Sequence, residues 1–216
     1  MPTTEIFEEM AKSIIEFEEK RALELAHKAV DEGINLLEVI EKGFGEGIKK
    51  VGALFSEGEL FLPELMVSAQ IMQEVIKFLD PHLKKGGDER KTLGKVVIAT
   101  IEGDIHSIGK TLVGTMLKAN GFEVYDLGAD VPIDKIIEAA IRKEADIIGV
   151  SALLTTTMIG QKKLVEKLKE KGLKEKFKVI IGGSPVTSRW TADCGADGYA
   201  ENAIESVSLA KSLITN

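Results

Sequence analysis

The sequence holds one cysteine, Cys194, in 216 residues, and only three histidines. A single thiol cannot close an intramolecular disulfide and is too little for a cysteine-built zinc site. Cys194 is therefore expected to pack, and the chain suits a reducing compartment. No apolar run reaches the ~18 residues of a membrane-spanning helix, and the opening MPTTEIFEEM is acidic and amphipathic where a signal peptide is basic and then greasy. A cytoplasmic protein with no membrane contact is the expectation. Positive charge is also short, with 28 Lys and Arg against 35 Asp and Glu and a net charge of -7. Such a chain lacks the electrostatic footprint of a nucleic-acid binder, and its lysines between 162 and 178 alternate with glutamates as on a solvated helix face. No nucleic-acid partner is expected.

Two hydrophobic rhythms are present. Through residue 83 apolar positions recur at three- and four-residue steps, as in Ala22, Leu25, Ala26 and Ala29, which predicts helices over 4–18, 20–32, 36–55 and 62–79. Together they make a small antiparallel four-helix bundle, domain 1–83. Gly43, Gly45 and Gly47 each cost about 1 kcal/mol against Ala in a helix, so close helix packing is expected there. The polar, glycine-bearing stretch from Pro81 to Arg90 has no apolar period and marks a domain boundary that could act as a hinge, the linker between domains being set at 84–93. Beyond it short β-branched runs at 95–101, 122–125, 146–150 and 178–181 alternate with helical stretches at 108–119, 133–142, 158–171 and 201–213. That alternation predicts a parallel sheet covered on both faces, a Rossmann-like (flavodoxin-like) domain over 94–216, so the fold class is α plus α/β. In such sheets ligands sit beyond the carboxyl ends of the strands, which directs attention to the loops after Ile101, Val150 and Ile181.

The first of these loops reads Glu102-Gly103-Asp104-Ile105-His106-Ser107-Ile108-Gly109-Lys110-Thr111. Its GKT suggests a phosphate-binding loop, but that pattern has four residues between its glycines, and Gly103 and Gly109 are separated by five. The next run, DIIGVS, also ends without an aspartate to hold magnesium. Asp104 and His106 form a different constellation: the carboxylate can accept from one ring nitrogen and leave the other as a metal ligand. His27 and His82 lie in the helical half, so a bare zinc ion would find no second histidine nearby. A macrocycle that already supplies equatorial donors needs only one axial histidine. On the residues alone, a loop histidine that caps a helix or bonds within its loop is the commoner case, and both readings stand.

Asp104-x-His106-x-x-Gly109, then Ser151-x-Leu153, then Gly182-Gly183 resembles the DxHxxG, SxL, GG signature of cobalamin-binding domains, one motif at each of three strand ends. The segment from Phe55 to Met72, FSEGELFLPELMVSAQIM, is similar to the cap of cobalamin-dependent methionine synthase and of the small corrinoid proteins of methylotrophic methyltransferase systems. Those proteins serve methylamines, methanol, methoxylated aromatics or betaines. The likeness covers nearly the whole chain. It implies a helical-bundle cap over the methyl face, a Rossmann-like cobalamin-binding domain, and cobalamin or a related corrinoid as cofactor, alternating between methylcob(III)alamin and cob(I)alamin. His106 would displace the dimethylbenzimidazole base and ligate the cobalt. Asp104 would accept from the other ring nitrogen, and Thr157, where methionine synthase has a serine, would complete a histidine-aspartate-hydroxyl relay. Gly103, Ile105, Ser107, Ile108 and Gly109 would surround the ligand. Ser151, Leu153 and Thr155 would line the slot for the displaced nucleotide tail, Gly182 and Gly183 would let it approach, and Ala203 would pack beside it. Phe55, Leu62 and Leu65 would cover the cobalt-bound methyl. Ser107 and Thr111 stand where aspartate and asparagine are frequent, which bears on loop hydrogen bonding and redox tuning.

By the same resemblance the chain is the methyl-carrying component of a cobalamin-dependent methyltransferase system, and whether it counts as an enzyme by itself is a matter of convention. A substrate:corrinoid methyltransferase would deliver the methyl group, and a corrinoid:tetrahydrofolate or corrinoid:coenzyme M methyltransferase would remove it. A reductive activase is the third implied partner. Two other classes use such a cofactor. A cobalamin-dependent sensor would bring a DNA-binding module for which this acidic chain has no residues, and the FLPELMVSAQIM cap argues against the cobalamin subunit of a radical mutase.

Overall fold

The computed structural model describes residues 3–86 and 92–215. The chain divides into two compact units, Met1–Lys91 and Thr92–Asn216. In the first, α1 (Thr3–Ile15), α2 (Glu19–Asp31), α3 (Leu36–Glu38), α4 (Gly45–Ser56) and α5 (Leu62–Gly86) bury the apolar stripe that the helical period presents: Ile6, Met10 and Ile14 of α1, with Ala22, Leu25 and Ala29 of α2. The single helix expected over 36–55 is interrupted by a π-helical stretch, Val39–Phe44. The widened turn is crowded on its inner side, where a Cβ at Gly45 would lie 2.6 Å from the Ile40 carbonyl oxygen. Gly47 serves the close packing expected of it, since a Cβ there would lie 2.5 Å from the Ala11 carbonyl oxygen of α1.

The helix expected to end at 79 continues to Gly86, through Pro81. Proline has no N–H for the carbonyl one turn back, but Pro81 is exposed, so water can reach that carbonyl while Leu79 and Leu83 stay buried on the inner face. Residues 81–86 are thus helix rather than break, and the remainder of the expected hinge, 87–90, lies outside the described residues.

In the second unit the strands β1 (Lys95–Thr100), β2 (Glu123–Asp126), β3 (Ile147–Ser151), β4 (Lys178–Gly182) and β5 (Gly198–Tyr199) pair in parallel in the order β2-β1-β3-β4-β5. This is the flavodoxin-like order, whose switch point lies between β1 and β3. Helices cover the sheet: α6 (Ile108–Ala119) packs with α10 (Ala203–Thr215), while α7 (Ile133–Lys143), α8 (Met158–Glu170) and α9 (Ser188–Cys194) pack in sequence. Neither α9 nor β5 was expected, each being too short to show a period. Burial of Cys194 in α9 pushes its thiol up to about 11, so it packs and does not react.

Gln161 of α8 fastens the strand ends that carry the site. Fully buried, it donates to the carbonyls of Val150 (3.2 Å) and Gly182 (3.0 Å) and accepts from the Trp190 indole N–H (3.0 Å). Trp190 and Tyr199 pack against the core. Gln161→Leu should lower stability by about 1–3 kcal/mol, because it removes the donor to two strand-end carbonyls and the acceptor of the half-buried indole N–H. Urea unfolding checks this, and an unchanged midpoint at unchanged slope would show the clip to be dispensable.

Candidate functional site

β1 ends at Thr100, and residues 101–107 turn into α6. At the centre of this loop Asp104 is completely buried. Its Oδ1 accepts from the backbone N–H of His106 (3.0 Å) and pairs with the ring Nδ1 of His106 (2.8 Å). Its Oδ2 accepts from the backbone N–H groups of Leu153 (2.7 Å) and Leu154 (3.3 Å) and from the Thr157 hydroxyl (2.7 Å). Burial alone would push this carboxyl up; the hydrogen bonds from the His106 backbone, Thr157, the His106 ring and the Leu153 backbone outweigh it and hold the group well below the usual carboxylate range. An ionised carboxylate only accepts, so Nδ1 carries a proton and donates it to Asp104, which leaves Nε2 as the ring nitrogen outside this pair. The His106 side chain is 46% exposed. The arrangement therefore holds a half-exposed imidazole by one ring nitrogen from a buried carboxylate.

The sequence-predicted residues fall into four groups. Around His106, Ile105 and Ile108 are 77% and 79% exposed, Gly103 has φ +82°, Ser107 precedes α6 without a side-chain capping bond, and Gly109 is exposed in the first turn. Across the switch point, Ser151 shares a hydrogen bond with Thr100 Oγ1 (3.1 Å), Leu153 and Leu154 are 41% and 44% exposed, and Thr155 is exposed. At the end of β4, a Cβ on Gly182 would meet nothing within 4 Å, whereas one on Gly183 would lie 1.8 Å from the Ala152 carbonyl oxygen, at φ +126°. Ala203 is buried at the start of α10. Phe55, Leu62 and Leu65 belong to the helical unit: Phe55 is half-buried, Leu62 exposed and Leu65 fully buried, while their neighbours Phe61, Met66 and Val67 are exposed.

Sequence reasoning missed Thr100 and Asp130. The Thr100 hydroxyl donates to the His106 carbonyl (3.0 Å). Asp130 accepts from the Gly103 N–H (2.7 Å) and donates its own N–H to the Asp104 carbonyl (2.9 Å). Neither carries a local signal, since both act on residues brought near by the sheet. Among the described residues no group of three or more His, Cys, Asp or Glu side chains is placed to hold a metal ion.

Residues 94–208 match the B12 binding domain, and residues 6–80 match a second family with the same description. A corrinoid protein of Desulfitobacterium hafniense is 45% identical over 97% of this chain and 97% of its own. The chain belongs to the B12-binding corrinoid proteins. Dimethylamine corrinoid protein 3 of Methanosarcina acetivorans is 46% identical over 97% of both chains. The solved methanol:cobalamin methyltransferase complex of Methanosarcina barkeri contains a chain that matches with a TM-score of 0.86 and 33% identity, over 100% of this chain and 81% of that one. The chain, like these relatives, binds cobalamin or a related corrinoid.

Asp104→Asn replaces an acceptor oxygen by an amide that faces donors on whichever side it turns, so it should cost about 2–4 kcal/mol at neutral pH in urea unfolding. The Asp104 carboxyl titrates lower in the folded chain than in the unfolded one. Its stabilisation is therefore complete above the unfolded value, about 4, and is lost as pH falls through the folded value. Wild type and variant should converge on acidification; parallel acid profiles would contradict the buried-anion assignment.

Proposed function

We propose that this corrinoid protein is a methyl carrier whose cobalt is ligated by His106 Nε2. The observation that carries the reading is the state of that nitrogen: its partner Nδ1 is engaged by an ionised, buried acceptor, and the ring edge is open. The surrounding residues fit the group. A flat macrocycle needs apolar surface, and Ile105, Ile108, Leu153 and Leu154 expose it on the two loops that meet at Asp104. A nucleotide tail needs a narrow slot with polar partners; Ser151 and Thr155 offer hydroxyls, Gly182 leaves space, and Ala203 supplies a small buried neighbour.

When bound, the cofactor supplies a cobalt centre that can take up a methyl group and release it. The protein supplies orientation. Asp104 holds the imidazole in the tautomer that presents Nε2, and Thr157, donating to Asp104 Oδ2, links that choice to a hydroxyl one step further out. Within the helical unit Phe61, Leu62, Met66 and Val67 expose apolar side chains, Phe55 is half-buried and Leu65 is buried.

The partners follow from the reading. A substrate:corrinoid methyltransferase loads the carrier, a tetrahydrofolate- or coenzyme M-dependent methyltransferase unloads it, and a reductive activase maintains it. The relative named for dimethylamine makes methylated amines the first donors to assay, with methanol second. A cytoplasmic location goes with those partners, and among the described residues no helix is long and apolar enough to cross a membrane.

The apoprotein mixed with methylcobalamin and freed of excess should retain about one cobalt per chain with a base-off, histidine-on visible spectrum. His106→Ala should shift that spectrum to a five-coordinate form. No retained cobalt on folded protein would overturn the carrier reading, and an unchanged His106→Ala spectrum would overturn the ligand assignment.

A further inference from the structure

The stretch 103–110 carries His106 out from the sheet, and it is held near both ends, by the end of β2 and by the loop that follows it towards α7. At the near end Asp130 makes a reciprocal pair of bonds, accepting the Gly103 N–H at 2.7 Å and donating its own N–H to the Asp104 carbonyl at 2.9 Å. Asp130 does so from the left-handed region, φ 53°, which aspartate tolerates better than most side chains and which other residues would occupy only at a cost. At the far end Lys110, buried in the first turn of α6, forms an ion pair with Asp126. The same Asp126 oxygen accepts the Gly128 N–H at 2.8 Å, and the Gly128 carbonyl accepts the Thr100 N–H at 3.0 Å. A buried ammonium is retained in a fold only where a partner compensates it, so this pair pins the start of α6 to the end of β2.

Of the other supports of the loop, the Thr100 hydroxyl holds the His106 carbonyl, while Leu153, Leu154 and Thr157 act on the Asp104 carboxylate from the opposite side of the switch point. They orient the imidazole through its Nδ1 partner. They do not hold the backbone of Gly103. That task falls to the β2–α7 loop.

We infer that Asp130 and the Lys110–Asp126 pair are positioning residues for His106, clamping its loop at both ends and so setting how firmly Nε2 ligates cobalt. The inference rests on the reading of His106 as the axial ligand. Asp130→Gly is the informative variant, because glycine keeps the left-handed backbone and the N–H bond to Asp104 while deleting only the carboxylate bond to Gly103. Bound methylcobalamin, followed by visible spectroscopy over a temperature series at fixed pH, reports the ratio of histidine-on to five-coordinate forms. That ratio should fall about tenfold in Asp130→Gly, as loss of an outer support of a metal ligand does. Asp130→Asn keeps an acceptor oxygen and should recover most of it. His106→Ala supplies the five-coordinate reference. If that reference differs from wild type while Asp130→Gly matches wild type, the clamp is wrong and the ligand assignment stands; if His106→Ala itself matches wild type, the ligand assignment fails and the inference falls with it. Should Asp130→Gly not fold, Lys110→Met tests the far end by the same ratio: a fall supports the clamp, and a wild-type value overturns it.

Discussion

Asp104 is a carboxylate with no exposure to solvent, and it stays ionised because donors from separate parts of the chain converge on its two oxygens. Its own loop contributes the His106 backbone and ring; the loop after β3 contributes Leu153 and Leu154; the residue ahead of α8 contributes Thr157. Remove the charge and these donors lose their common acceptor. The tautomer of His106, the register of the loop after β1 against the loop after β3, and the placement of the α8 N-terminus all depend on one buried anion. The strand order makes this possible, because β1 and β3 are direct neighbours with Thr100 opposite Ser151 at their carboxyl ends.

The site also inverts the usual partition of side chains. Polar and charged groups, Asp104, Thr100, Lys110 and Gln161, are buried, while Ile105, Ile108, Leu153 and Leu154 face outward. Buried polar groups are sustained by hydrogen bonds, and here each has them. Exposed apolar groups gathered on two adjoining loops have no such compensation in the chain itself, and surfaces of that kind mark places where a ligand or partner completes the burial. The inversion and the buried anion belong together: a rigid polar foundation allows the surface above it to be apolar and still hold its shape.

Much of this architecture is readable in the amino-acid order, and the failures have identifiable causes. The alternation of β-branched runs with helical stretches locates four strands and the helices that follow β1, β2 and β3, since long apolar periods outweigh competing signals. The π-helical stretch at Val39–Phe44 and the passage of α5 through Pro81 were not readable, because each depends on which side of the helix meets water and which meets a neighbour. The short α9 and β5 exist because the core beneath them demands cover, not because their own residues insist on it.

For the site, the spacing Asp104-x-His106 was enough to suggest a supported ligand, because two residues in one tight loop are near each other in any fold. The spacing could not reveal the acceptors' other donors, the exposure of the imidazole, or the part taken by Thr100 and Asp130. What the sequence by itself determined is therefore what short range governs: the periods, the loop that carries the histidine, and the two residues within hydrogen-bonding reach of one another. What only the tertiary structure decided is that the buried carboxylate is held charged, since that depends on donors tens of residues away that the sheet brings to within about 3 Å.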